Sequence, residues 1–133
     1  MSNVVFVYGT LLREIGRASV LDDSTFLGLA VITASLYDLG YYPGIKDGKG
    51  TVVGELYEVS PETLQHLDSI EGYHARDEES SLYVRREVSA RRLGDGSTCT
   101  AHAYYYNNDV DESTCIVHGD YRRFKNNQRK ESK

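Results

Sequence analysis

Residues 82–106 read LYVRREVSARRL-GDGS-TCTAHAYYY, and this stretch decides the fold class. Two runs rich in β-branched and aromatic residues, 82–93 and 98–106, flank Gly94-Asp95-Gly96-Ser97, a tight-turn sequence that predicts a β-hairpin. The rest of the chain repeats the pattern. Val4-Val5-Phe6-Val7-Tyr8 is a continuous apolar run ended by Gly9, as in a strand buried on both faces. Residues 26–39 form a long β-rich segment punctuated by Gly28, and Gly40-Tyr41-Tyr42-Pro43-Gly44 breaks it as a turn. Residues 51–59 predict a further strand, with Val53, Glu55, Tyr57 and Val59 on one side. About five strands and one clear helix favour an α+β domain whose sheet curls toward a barrel over a parallel βαβ fold.

The chain has 133 residues, the length of one domain, with 40% apolar and 26% charged residues. Twenty acidic against fifteen basic side chains give a formal charge of −5, which argues against a nucleic-acid or anionic-membrane partner. Residues 1–124 read as the single domain; residues 125–133 hold four bases, one acid and no apolar side chain, which predicts a disordered tail. Only Cys99 and Cys115 occur, outside any CxxC pair, so the expected setting is reducing and cytoplasmic, without a structural zinc. Neither a signal peptide nor a run near the ~20 apolar residues of a membrane span is visible. Eleven Tyr, three Phe and no Trp tilt the aromatics toward side chains that carry a hydroxyl.

The helix is specified at both ends. Ser60 caps, Pro61 suits the first turn, Glu62 complements the positive helix end and Gly72 supplies a left-handed exit, which predicts a helix over 61–71. Leu64, Leu67 and Glu71 fall on one i, i+3, i+7 stripe, with Glu71 at roughly 340° from Leu64 on the helical wheel. A carboxylate on the buried stripe is costly, because desolvation and the negative helix end both raise its pKa, and such a group can accept and donate a proton near pH 7. The competing reading is a frayed last turn that faces Glu71 to water. Asp68, beside the stripe, either orients the surroundings of Glu71 or bonds backbone at the helix exit, and the second is the expected role.

Tyr8-Gly9-Thr10-Leu11 follows the first strand directly, and Gly9 lets successive N–H groups turn into one concavity, where they would bind a carboxylate or a developing oxyanion. An ordinary strand-to-loop turn is the plainer alternative. Phosphate-loop glycine spacing is missing, as is a Gly-x-Ser-x-Gly elbow. His66, His74, His102 and His118 have no metal-ligand spacing; His66 and His102 read as surface residues. Glu55, beside Tyr57, either faces the cavity or is a paired or solvent-facing carboxylate, and the second is the expected reading.

Taken in order, Val5 to Leu11, Leu36-Tyr37-Asp38-Leu39-Gly40-Tyr41-Tyr42-Pro43-Gly44, Val53 to Val59, and Leu67-Asp68-Ser69-Ile70-Glu71-Gly72-Tyr73 resemble the motifs of the γ-glutamylcyclotransferase-like family. Tyr83-Val84-Arg85-Arg86 and His118-Gly119-Asp120-Tyr121 extend the likeness, although the family often has Trp where this chain has Tyr121. Thr10-Leu11 is similar to the γ-glutamylamine cyclotransferase, AIG2-like branch, more than to the branch with Ser-Asn there. The resemblance implies a compact, small mixed β-barrel with one or two flanking helices and a cavity, a cytosolic setting, no metal and no cofactor. It further implies a small-molecule γ-glutamyl substrate, with Tyr8, Gly9, Thr10 and Leu11 holding its γ-glutamyl group, Glu71 as acid/base and Tyr83 as a cavity wall.

In a γ-glutamyl amide the α-amine reaches its own γ-carbonyl and closes a five-membered lactam, so no protein nucleophile is needed. The expected activity is therefore release of 5-oxoproline and a free amine, with both proton transfers on Glu71. The alternative is a binding module that uses the same cavity for a small amino-acid-like ligand without chemistry. Tyr8, Tyr42, Tyr73 and Tyr83, in or beside these motifs, are the tyrosines expected to frame the cavity.

Overall fold

A computed structural model describes residues 3–9, 21 and 23–131. Five strands, β1 (Asn3–Val7), β2 (Thr25–Asp38), β3 (Pro43–Val59), β4 (Tyr83–Arg92) and β5 (Thr98–Tyr106), close into a barrel in the order β1-β3-β2-β4-β5. All pairings are antiparallel except β1 with β5, which seals the barrel through Val5 and His102, so the sheet is mixed. The expected small mixed barrel is the observed one. Among the described residues two α-helices accompany it, α1 (Pro61–Ile70) and α2 (Tyr121–Glu131).

The hairpin stretch behaves as its composition dictates, with β4 and β5 paired from Tyr83↔Tyr106 to Arg91↔Thr98 around the Gly-rich turn, where Gly96 takes φ +74°. By contrast β2 and β4 ladder only at Ala30↔Arg92 and Val31↔Arg91. The two strands part toward the start of β4, and that end of the barrel carries Tyr83, Tyr42 and Pro43. The parting leaves room there for a cavity.

Two expectations are corrected. The strand expected over 51–59 begins at Pro43, so the end of the expected turn and the glycine-rich segment Gly44-Ile45-Lys46-Asp47-Gly48-Lys49-Gly50 belong to β3. It pairs with β2 through Ser35↔Lys46, Leu36↔Ile45 and Tyr37↔Gly44. Its glycines are required by crowding: a Cβ on Gly48 would run into the Ser35 hydroxyl, and one on Gly50 would lie 2.9 Å from the Ala34 carbonyl oxygen. Residues 125–131, expected to be disordered, continue α2. Asp120 starts that helix by accepting the Arg123 N–H, and Tyr121, 1% exposed, stacks with Phe124 and docks it.

α1 forms as its ends predict. The Ser60 hydroxyl accepts the Thr63 N–H at 3.1 Å, and Leu64 and Leu67 are buried. At the other end Gly72, φ +67°, makes a Schellman exit: Tyr73 N–H donates to the Asp68 carbonyl and Gly72 N–H to that of Ser69. The Gly72 carbonyl then accepts the Leu82 N–H, tying the helix exit to the start of β4. Glu71 is thus a fixed C-cap, φ −84° and ψ −2°, rather than part of a frayed turn.

Candidate functional site

A cavity of about 270 Å³ opens at the parted end of the barrel. β1 and the residues after it contribute Phe6, Val7, Tyr8 and Gly9; the β2–β3 turn contributes Tyr41, Tyr42 and Pro43. Ile70 and Glu71 come from the end of α1, Leu82 and Tyr83 from the start of β4, and Tyr104 from β5. Segments far apart in sequence therefore meet at one place, and Tyr8, Gly9, Glu71 and Tyr83 among the expected site residues all line it. Thr10 and Leu11 lie outside the described residues.

Each cavity residue is placed by a physical constraint. Gly9 does not need a left-handed φ; it needs the space, because a Cβ there would stand 2.6 Å from Pro43 Cγ. The Tyr8 hydroxyl donates to the Tyr104 carbonyl at 2.6 Å, and the Tyr83 hydroxyl to the Pro43 carbonyl at 2.6 Å. The Tyr104 hydroxyl donates to Asp68 Oδ1, also at 2.6 Å. With its proton committed to the Pro43 carbonyl, the Tyr83 oxygen remains an acceptor, which suits an ammonium group more than a carboxylate.

Electrostatics reinforce that state. Burial pushes the phenols of Tyr8 and Tyr83 well above their ordinary range, and the charge of Glu71 adds to the effect at both. Tyr104 is raised as well, first by burial, then by its hydrogen bond to Asp68, with Glu71 a smaller contributor. All three are neutral at physiological pH. Half-buried Glu71 is the carboxylate whose field these cavity tyrosines feel in common.

Other expectations sort differently. Asp68 does not spend its side chain on the helix exit: its backbone carbonyl does that, while the carboxylate receives Tyr104 and Arg85 Nη1 at 2.8 Å. Tyr73 is not a cavity wall; its hydroxyl donates to Glu78 and its ring lies 5.4 Å from the Arg85 guanidinium. The acidic segment 76–81 is likewise off the lining, since Glu78 is held by Arg86 at 2.9 Å and Asn107 Nδ2 donates to the carbonyls of Glu78 and Ser81. Glu55 is paired, as expected, and buried. His66 is exposed and His102 half-buried, its imidazole pKa lowered chiefly by burial. Among the described residues, no three His, Cys, Asp or Glu side chains cluster as metal ligands, and no helix is long and apolar enough to cross a membrane.

Besides the apolar groups of Phe6, Val7, Pro43, Ile70 and Leu82, the cavity tyrosines that sequence reading missed are Tyr104 and Tyr41. The run Tyr104-Tyr105-Tyr106 shows that alternate rings face one way, but which way depends on barrel closure. Tyr41 reads as plain turn chemistry.

A family model described as γ-glutamyl cyclotransferase, AIG2-like, matches residues 5–123. The chain is 33% identical over 118 residues to the γ-glutamylcyclotransferase family protein YtfP of Escherichia coli, covering 88% of this chain and 94% of that one. It is 36% identical over 107 residues to the γ-L-glutamyl-butirosin B γ-glutamyl cyclotransferase of Niallia circulans, covering 79% of this chain and 67% of the relative. Among solved structures, an AIG2-like protein from Mus musculus superposes with a TM-score of 0.74 at 26% identity, over 90% of this chain and 88% of that one. An uncharacterised protein from Pyrococcus horikoshii gives 0.76 at 27% identity, over 96% and 97%.

Proposed function

The chain belongs to the γ-glutamyl cyclotransferase, AIG2-like family, and from that premise we propose that it cleaves γ-glutamyl amides into 5-oxoproline and a free amine, with Glu71 as general acid/base. The observation that carries the reading is Glu71 itself: a glutamate fixed at a helix C-cap, half-buried, in the wall of a small cavity otherwise made of aromatic and aliphatic groups. A volume of about 270 Å³ suits a compact head group, with the rest of the substrate projecting through the mouth.

The reaction needs three things from the protein. The α-ammonium must lose a proton; the Glu71 carboxylate accepts it. The α-nitrogen must then lie against the γ-carbonyl carbon, and the rigid walls of Tyr8, Tyr83 and Pro43 confine the folded chain to that geometry. As the C–N bond of the lactam forms, the bond to the departing nitrogen breaks and the proton on Glu71 passes to that nitrogen; the second proton, shed by the attacking nitrogen as it becomes the lactam N–H, follows through the regenerated carboxylate and leaves on the amine as an ammonium, so no net proton is consumed. The hydroxyl oxygen of Tyr83 offers an acceptor for the α-ammonium on arrival. A relative named for γ-L-glutamyl-butirosin B supports the same reaction class with a γ-glutamyl group on a larger molecule.

The test is a product assay. The protein is incubated with γ-glutamyl amines, γ-glutamyl-ε-lysine, γ-glutamyl amino acids and glutathione, and 5-oxoproline is measured. Formation from one class that Glu71→Gln lowers by about 10² to 10⁴-fold supports the reading. Ligand-induced stabilisation without product from any of them would identify a binding module instead.

A further inference from the structure

We infer that Asp68 and Tyr104 form a positioning pair that sets where Glu71 stands relative to the Tyr8–Gly9 segment, an inference that rests on Glu71 being the acid/base. Asp68 precedes Glu71 by three residues, so both lie on the same side of the last turn of α1. Its two functional groups act in opposite directions along the chain. The backbone carbonyl accepts the Tyr73 N–H and closes the helix exit just beyond Glu71, while the carboxylate reaches across the barrel to β5 and β4.

The β5 arm is the short one: Tyr104 O–H donates to Asp68 Oδ1 at 2.6 Å, a charge-assisted bond. From the same residue, the Tyr104 carbonyl accepts the Tyr8 hydroxyl at 2.6 Å. A continuous relay of two hydrogen bonds thus joins the residue at the end of β1 to the helix turn that presents Glu71. The β4 arm adds Arg85, whose Nη1 lies 2.8 and 3.0 Å from the two Asp68 oxygens and whose guanidinium covers the Tyr73 ring. Asp68 and Tyr73, bracketing Glu71 in sequence, are therefore clamped by one cation.

Stability alone does not account for this arrangement. Leu64 and Leu67 already dock the helix, and a part-buried ion pair pays desolvation that apolar packing would avoid. What charged hydrogen bonds supply in addition is direction, and a catalytic carboxylate displaced by about 1 Å loses on the order of 10²-fold in rate.

The test uses the full chain and the γ-glutamyl amide that yields most 5-oxoproline in the panel. Tyr104→Phe removes one hydroxyl and keeps the ring; it is expected to lower kcat about tenfold with KM changed less than twofold. Asp68→Ala should lower kcat at least as far, and Asp68→Asn, which retains an oxygen acceptor for Tyr104, should recover part of the loss. The double variant Asp68→Ala with Tyr104→Phe should be no slower than the slower single, because one relay is being cut twice. A Tyr104→Phe protein that is folded by circular dichroism, melts lower and turns over at the parent kcat would overturn the inference, as would Asp68→Asn no better than Asp68→Ala in folded protein. Should Asp68→Ala fail to fold, Tyr104→Phe carries the test alone. An inactive Glu71→Gln beside an unchanged Tyr104→Phe removes this inference only, whereas a fully active Glu71→Gln removes the acid/base reading beneath it.

Discussion

Two glutamates of the barrel meet opposite fates. Glu55 sits on the face of β3 opposite Gly54, the residue that lies against the Phe6 ring, and it is only 2% exposed. One oxygen accepts the Tyr57 hydroxyl at 3.1 Å and the other Arg122 Nη2 at 2.8 Å, so α2 closes over it with a compensating charge. Glu71 stands at the cavity instead, half-buried among tyrosines whose pKa values its own charge raises. Burial of a carboxylate is thus no signature of function by itself. Glu55 is stitched to a cation and a helix, whereas Glu71 is presented to a space that a substrate can enter.

The difference can be broken at either end. Glu71→Gln, isosteric and set at a capped turn, should lose about 10² to 10⁴-fold in 5-oxoproline formation with little change in melting temperature. Glu55→Ala should do the reverse. Removing one member of a buried pair takes a compensating charge from the other, and because Arg122 keeps a quarter of its side chain exposed the cost belongs at the low end, about 3 kcal/mol in urea titration. Turnover per folded molecule should stay within about twofold, since Glu55 is outside the cavity wall. Equal losses of turnover in the two variants would erase the distinction.

How much of this was legible beforehand depends on whether the cause is local. β1, the β4–β5 hairpin and α1 are written in short-range patterns: a bounded apolar run, a Gly-Asp-Gly turn, a Ser-Pro start and a Gly exit. Glu71 was legible for the same reason, because the 3.6-residue period places it with Leu64 and Leu67. The first half of β3 was not, since its glycines follow from the approach of Ser35 and Ala34 on another strand. α2 offered only Tyr121 and Phe124 as an apolar pair, and its third anchor, Arg122, has a partner 67 residues away. The Asp68–Tyr104 bond spans 36 residues and depends on barrel closure, which no local pattern reports.

A subtler contrast lies in the hydroxyls. Tyr8, Tyr83 and Tyr104 have pKa values raised by burial first, with nearby carboxylate charge adding to it, so the folded state favours their neutral form. The sign follows: this contribution is fully present below the unfolded phenol value of about 10 and is lost as pH climbs past it toward the folded values. A spectrophotometric titration should therefore show some tyrosines ionising only where circular dichroism reports unfolding. Complete ionisation of all eleven with the barrel intact would mean that the cavity wall is solvated, and the contrast with the sealed Glu55 site would fade.

The smallest effect is expected at the cavity mouth. Tyr41 lines the cavity yet is 95% exposed, carried on a turn that Leu39 N–H to Tyr42 carbonyl and Gly40 N–H to Asp38 Oδ1 hold in place. Its ring contributes almost nothing to the core, so Tyr41→Ala should shift stability by less than about 0.5 kcal/mol. Turnover of γ-glutamyl-methylamide, whose departing group is too short to reach the rim, should be unchanged. Any effect should fall on KM for amides with large departing amines, because only those extend past Tyr42 and Leu82 to where the Tyr41 ring stands. A clear loss of kcat with the methylamide would instead place Tyr41 with the inner wall, and the working part of the site would then extend beyond Glu71, Tyr8 and Tyr83 to the turn itself.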